Sequence, residues 1–284
     1  MFDKLFVLSQ YLTPQLAVSR LAGKLADHDR SPAMKNRVIR WFIQRYGVDM
    51  SEALEQDPSA YASFNEFFTR ELQPGARPVV ADQQVMTSPV DGAISQLGRI
   101  DGNRVFQAKG QHFSLLELLG GDSERAAPFA GGEFATIYLA PKDYHRVHMP
   151  LAGTLREMVH IPGKLFSVNP VTAANVPNLF ARNERVVAMF DTEFGPLAMV
   201  LVGAMIVGSV ETTWAGVVAP GTPSVTTSRY TQQDPIRFAK GDEMGRFRLG
   251  STVVMVMPKG AVSWQPELAA GDVVRMGQAF GSKA

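Results

Sequence analysis

Residues Phe194 to Val210, FGPLAMVLVGAMIVGSV, form an uncharged and strongly apolar run of 17 residues. A run of that length sits at the lower limit for a membrane-spanning helix. Gly195, Pro196, Gly203 and Gly208 interrupt it, and the residues between are rich in Val, Leu and Met. Such punctuation predicts two buried strands joined by a glycine turn, and no transmembrane helix. Similar short apolar runs recur after residue 79: Ala135–Ala140, Val186–Phe190, Leu197–Val202, Ala204–Val210 and Thr252–Met257. Gly, Pro and Asp turns separate them, and the C-terminal stretch Ala270–Gly277 reads as turn, short strand, turn. This part of the chain is expected to be mostly antiparallel β.

The first 78 residues differ. Thr13-Pro14 opens one predicted helix, along which Leu16, Val18, Leu21 and Leu25 recur at near-helical spacing. Ser31-Pro32 opens another, which Gly47 ends. In the second, Met34, Val38, Trp41 and Phe42 are read as one face and Arg37, Arg40 and Gln44 as another. Two readings of that helix stand: one packed on the body with a solvated basic face, or one lying in a membrane interface with Trp41 and Phe42 among headgroups. The segment Ser63–Leu72 is compact and aromatic, and Gln73-Pro-Gly-Ala-Arg-Pro78 reads as a boundary. The expected fold is therefore α+β: a helical N-terminal region, 1–78, followed by a mostly antiparallel β domain, 79–284.

Charge follows the same division. Residues 1–50 hold eight Lys or Arg against four Asp, a net of +4, whereas the whole chain carries +1. A near-neutral molecule is not built to bind nucleic acid, but a basic, apolar-rich N-terminus suits an anionic surface. No secretion signal is read in the opening residues, where Asp3, Lys4, Ser9 and Gln10 break the apolar run. The absence of cysteine excludes disulfides, thiolate metal sites and a cysteine nucleophile.

Three segments could carry chemistry. His145 and His148 lie in Lys142-Asp-Tyr-His-Arg-Val-His-Met-Pro150. They are either structural histidines with satisfied rings or a source of one general base. No acidic cluster accompanies them, so no metal site is expected. Ser88-Pro-Val-Asp-Gly92 is a turn before a strand-like run, and turn chemistry alone explains its Asp-Gly. Gly250-Ser251-Thr252 opens a β-branched strand. It lacks the G-x-S-x-G pattern and the following helix of a nucleophile elbow, which disfavours an ordinary serine hydrolase. A Gly-Ser turn does permit another reaction. The serine hydroxyl attacks the carbonyl before it and converts the amide to an ester. A base then eliminates the ester to dehydroalanine, and tautomerisation and hydrolysis leave a pyruvoyl group at a new N-terminus.

At this point the motifs carry a resemblance. Leu249-Gly-Ser-Thr252 resembles the self-cleavage motif of the phosphatidylserine decarboxylase proenzyme family, short bacterial form. Ser88–Gly92, Ala108-Lys-Gly110, Ala140–Pro150, Phe166-Ser-Val-Asn169, Leu179–Arg185 and Gly241–Phe247 are similar to further segments of that family. The resemblance runs from about residue 60 to the C-terminus. It implies that Ser251 is the nucleophile of cleavage between Gly250 and Ser251, that His148 is its general base and that Asp91 orients His148. It implies substrate-binding roles for His145, Ser167 and Asn169. It further implies a large chain, 1–250, and a small chain, 251–284, which remain together as a heterodimer and leave room for higher assembly. The pyruvoyl group from Ser251 would form a Schiff base with phosphatidylserine and yield phosphatidylethanolamine and CO₂. A lipid substrate favours membrane contact by residues 1–50, with the enzyme peripheral on the cytoplasmic face of the cell membrane. Two alternatives remain: a pyruvoyl decarboxylase of soluble amino acids, and a β-rich binding module without enzymatic activity.

Overall fold

A computed structural model describes residues 8, 10, 31–204, 209–231, 233–248 and 251–284. The helix expected after Thr13-Pro14 lies outside the described residues, as do Leu249, Gly250 and the side chain of Ser251. The second expected helix is α1, Pro32–Tyr46. Its ends follow from its sequence. The Met34 N–H donates to the Ser31 hydroxyl, Pro32 occupies the first turn, and Gly47 closes the helix in the left-handed region, φ 68°. A one-turn helix, α2 (Phe64–Phe68), is capped by Ser63, whose hydroxyl accepts from the Glu66 N–H.

The faces of α1 differ from the expected ones. Ile39 and Phe42 are the buried residues, packing with Val48, Tyr61, Phe67 and Phe68 in a small separate core. Met34, Val38 and Trp41 are exposed, at 70%, 43% and 56%. Phe42 is thus unavailable to a headgroup layer, because its ring meets those of Phe64, Phe67 and Phe68 edge-on. The apolar residues of α1 form two stripes, and the body covers only one.

Eighteen strands are described after residue 79. Those that build the site are β1 (Val85–Thr87), β2 (Gly92–Arg99), the β3–β4 hairpin (Arg104–Ala108, Gln111–Ser114), β5 (Glu133–Leu139), β6 (Arg146–His148), β7 (Gly153–Ile161), β8 (Arg185–Thr192) and β9 (Gly195–Val202). There follow β10 (Ser209–Thr212), β11 (Gly216–Ala219), β12 (Thr226–Arg229), β13 (Arg237–Phe238), β14 (Glu243–Arg248), β15 (Ser251–Met257), β16 (Val262–Trp264), β17 (Val273–Val274) and β18 (Ala279–Lys283). The main sheet has nine strands, in the order β12-β7-β8-β9-β15-β5-β2-β17 with β13 also on β7. A four-stranded sheet, β11-β10-β14-β6, and a three-stranded one, β1-β18-β16, accompany it. Every described pairing between named strands is antiparallel.

The first strand expected in the run from Phe194 is β9; of the second, Ala204–Val210, residues 205–208 lie outside the described set and its last two residues open β10. The main sheet is covered on both faces. Val253, Met255 and Met257 enter one core and Val254 and Val256 the other. Double coverage explains why β15 reads as an unbroken apolar run where a half-exposed strand would alternate.

Candidate active site

Strand register sets the Ser88–Gly92 turn and Ser251 at one end of the main sheet, while His148 belongs to β6 of the four-stranded sheet. Ala93 pairs Tyr138, Tyr138 pairs Thr252, Thr252 pairs Val202, Val202 pairs Arg185, and Arg185 pairs Ile161. Ser251 lies one residue beyond that row, opposite Leu139. Asp91 lies two residues beyond Ala93, on the far side of β5. Two strand spacings separate the β2 and β15 backbones, about 10 Å. Gly92 opens β2 because the chain passes directly over β5: a Cβ there would lie 2.4 Å from the Tyr138 carbonyl oxygen. β14, in the four-stranded sheet, ends at Arg248, and β15, in the main sheet, begins at Ser251.

His148 ends β6 and is tied to the Ser88–Gly92 turn, its N–H donating to the Pro89 carbonyl at 2.8 Å. Its Nδ1 lies 2.8 Å from the Gly241 carbonyl oxygen. A carbonyl only accepts, so Nδ1 carries the proton and Nε2 holds the lone pair. The Tyr144 hydroxyl donates to that Nε2 at 3.0 Å. Burial pushes the His148 pKa down, opposed by the Gly241 hydrogen bond and by the charges of Glu243 and Asp91. The ring is a neutral base of fixed tautomer at neutral pH.

Asp91 is 7% exposed, and its carboxylate does not hydrogen-bond His148. It accepts instead from the Arg77 guanidinium and from the Met276 N–H. The Asp91 charge reaches the His148 ring, but the partner that holds that ring is a backbone carbonyl.

His145 is fully buried, with its ring 4.0 Å from that of Phe68 between centroids. Its Nδ1–H donates to the Asp143 carbonyl, and its Nε2 has no partner among the described residues. Burial pushes its pKa down to about 3. The ring therefore offers a neutral acceptor. The His145 carbonyl accepts from the Phe247 N–H at 2.9 Å, so its backbone flanks the strand that leads to Ser251.

Ser167 and Asn169 lie in a loop tied toward the same end of the sheet. The Ser167 N–H donates to the buried Gln10 side chain at 2.9 Å. Asn169 caps the helix Pro170–Asn175, its Oδ1 accepting from the Thr172 N–H at 3.0 Å. That cap is a structural reason for this residue. The fully buried Asn183 accepts from the Phe166 N–H and donates to the carbonyls of Phe166 and Gly203. By register Gly203 follows Val202 and faces Ser251.

Arg77, Tyr144, Asn183 and Gly241 were not singled out from the sequence. Tyr144, Asn183 and Gly241 lie inside quoted motifs, and Arg77 inside the Pro-Gly-Ala-Arg-Pro boundary; Tyr144 meets His148 four residues on, whereas the partners of the other three are remote in sequence.

A pyruvoyl group at position 251 is compatible with these residues. The Thr252 hydroxyl is fully buried without a partner among the described residues, one residue from the place where carbonyl acceptors would form. A neutral imidazole of fixed tautomer lies on a neighbouring segment.

Comparison with known proteins shows the family of the chain. A family model described as phosphatidylserine decarboxylase matches residues 64–282, and a second, described as PSD, matches residues 5–47. The phosphatidylserine decarboxylase proenzyme of Marinobacter nauticus is 72% identical over 281 residues, covering 99% of this chain and 98% of that one. The proenzyme of Bordetella pertussis is 61% identical over 278 residues, covering 97% and 93%. That of Hahella chejuensis is 60% identical over 281 residues, covering 99% and 94%.

Proposed function

The chain belongs to the phosphatidylserine decarboxylase family, and from that premise we propose that it cuts itself between Gly250 and Ser251 to make its own catalytic carbonyl. It is a decarboxylating lyase that converts phosphatidylserine to phosphatidylethanolamine and CO₂. In the proposed maturation the Ser251 hydroxyl gives its proton to Nε2 of His148 and attacks the Gly250 carbonyl carbon. The amide C–N bond breaks, the freed amine takes a proton, and an ester joins the two chains. Removal of the Ser251 α-proton then expels Gly250 as a carboxylate and leaves dehydroalanine, whose imine tautomer is hydrolysed by water to the carbonyl with release of the Ser251 nitrogen as ammonia. The Asp91 charge stabilises the imidazolium formed at each step, while the Gly241 carbonyl keeps Nδ1–H in place. When present, the pyruvoyl group supplies an electron-accepting carbonyl to which the substrate amine attaches. His145 presents its Nε2 as an acceptor near that end of the sheet, and Ser167 and Asn169 belong to the loop that borders it.

The observation that carries this reading is the placement of Ser251 at the first position of a strand paired on both sides. Thr252 to Met257 are all fully buried, between β5 and β9. Each of the five apolar side chains among them contributes about 1.5–3 kcal/mol of burial. The fragment 251–284 is too short to hold a core alone, so a cut at its first residue leaves it locked in the sheet as the small chain of a heterodimer.

Membrane contact through residues 1–50 fits the same reading. Alpha helix α1 carries Lys35, Arg37, Arg40 and Arg45 without an acidic residue, and exposes Met34, Val38 and Trp41 beside Arg37 and Arg40. No helix among the described residues is long and apolar enough to cross a membrane. We place the enzyme peripherally on the cytoplasmic face of the cell membrane, where anionic lipid attracts basic segments.

The test is a set of three variants. Ser251→Ala should leave one uncut, inactive chain, and efficient cutting of it would refute the site. His148→Ala and Asp91→Asn should both impair cutting, and normal maturation of both would remove the base assignment.

A further inference from the structure

The Asp91 carboxylate is held from two sides, by the Arg77 guanidinium and by the Met276 N–H. Nε of Arg77 lies 2.8 Å from its Oδ1 and 3.0 Å from its Oδ2, and Nη2 lies 2.5 Å from Oδ2. The Met276 N–H donates to Oδ1 at 2.9 Å. Both side chains of the ion pair are nearly enclosed, at 7% and 10% exposure. A guanidinium fork addressing both oxygens fixes the plane of a carboxylate as well as its position.

The remaining donors of Arg77 reach elsewhere. Nη2 also donates to Oε2 of Glu52 at 2.7 Å, and Nη1 to the Ala76 carbonyl at 2.7 Å. Glu52 in turn accepts from Nη1 of Arg275 at 2.9 Å. Three segments meet at this point: the helical region through Glu52, the boundary segment through Arg77, and the chain downstream of the cut through Arg275 and Met276. The boundary is pressed against that downstream chain. The Val80 N–H donates to the Gly277 carbonyl, and a Cβ on Gly277 would lie 2.6 Å from the Pro78 oxygen.

We propose that Arg77 is the positioning residue for Asp91, and that through Glu52 it makes self-cleavage depend on the docking of the helical region. The hydrogen bonds of Arg77 go to Asp91, Glu52 and the Ala76 carbonyl. Arg77 acts by presenting the Asp91 carboxylate to the His148 side of the turn with its plane fixed. Without it Asp91 is left enclosed with one backbone donor, and rotates or draws in water. This inference rests on the self-cleavage reading above.

The experiment follows radiolabelled full-length chain made by cell-free translation as it converts to fragments 1–250 and 251–284. Wild type, Ser251→Ala, Arg77→Ala, Arg77→Lys and Glu52→Gln are compared. Arg77→Ala is expected to slow conversion at least about tenfold, as loss of one partner of an enclosed charge pair does. Millimolar guanidinium chloride should accelerate Arg77→Ala and leave wild type unchanged, which a purely structural role would not produce. Arg77→Lys keeps the charge without the fork, so it should fall between the two. Glu52→Gln should slow conversion by about threefold, because it removes one charge-assisted bond to Arg77. Should Arg77→Ala fail to fold, Arg77→Lys decides. Conversion of the folded Arg77 variants within about twofold of wild type overturns the proposal. An uncut wild type overturns the self-cleavage reading itself, and the Arg77 assignment with it.

Discussion

Asn183 offers a perturbation whose size follows from the structure. It is fully buried and makes three hydrogen bonds, of 3.1, 2.8 and 2.8 Å, to the Phe166 N–H, the Phe166 carbonyl and the Gly203 carbonyl. Those bonds tie the loop carrying Ser167 to the backbone that faces Ser251. Asn183→Leu keeps the volume and removes all three. At about 1 kcal/mol net for each bond, the loss is about 3 kcal/mol. A domain of this size loses roughly 2–4 °C of Tm per kcal/mol, so the melting midpoint should fall by roughly 6–12 °C. The melt is best read in the Ser251→Ala background, where one covalent chain unfolds and fragment dissociation does not intrude. In the cleavable background the same variant should cut more slowly, because Gly203 is the register neighbour of the attacking residue. A Tm within about 2 °C of the parent, with cutting at the parental rate, would refute the claim that Asn183 braces the site.

His145 gives a pH dependence with a definite sign. Burial holds its pKa near 3 in the folded chain, whereas an unfolded imidazole takes up its proton below about 6.5. The unfolded state therefore binds more protons between those values, and stability falls as pH drops through that window. The slope is about 1.4 kcal/mol per pH unit, or about 2 kcal/mol between pH 6.5 and 5. Denaturant unfolding at pH 5 and 7.5 should show that loss in the parent and lack it in His145→Gln; equal losses would contradict the assignment. For the membrane, Arg37→Gln with Arg40→Gln should weaken partitioning onto vesicles containing anionic phosphatidylglycerol by about thirtyfold in low salt, at about fivefold for each basic residue. Unchanged partitioning would place the contact away from α1.

Much of the fold can be read directly from residue order. The Ser31, Pro32 and Gly47 signals bound α1 because caps and prolines act locally. Gly195, in the left-handed region at φ 99°, marks the start of β9 for the same reason. The apolar runs at 135, 186, 197 and 252 become β5, β8, β9 and β15 because a strand buried on both faces must be apolar throughout. What escaped is tertiary. Nothing in the spacing of α1 says which apolar stripe the body covers, so Phe42 was grouped with residues that are exposed. The short polar strands β12 and β13 carry no periodic signal and exist because β7 offers them an edge. At the site, Asp91, His145, His148 and Ser251 were found by residue type and motif. The ion pair of Asp91 with Arg77 and the Gly241 carbonyl on His148 join positions 14 and 93 residues apart, which no local pattern records. The placement of Asp91 and Ser251 at one end of the main sheet likewise emerges only from strand register.

The intact mass of freshly purified protein under denaturing conditions tests the account most directly. Two chains meeting at the 250–251 bond, the smaller one beginning with a pyruvoyl group in place of Ser251, are the predicted result. One unbroken chain of 284 residues, or a break at another bond, would contradict it.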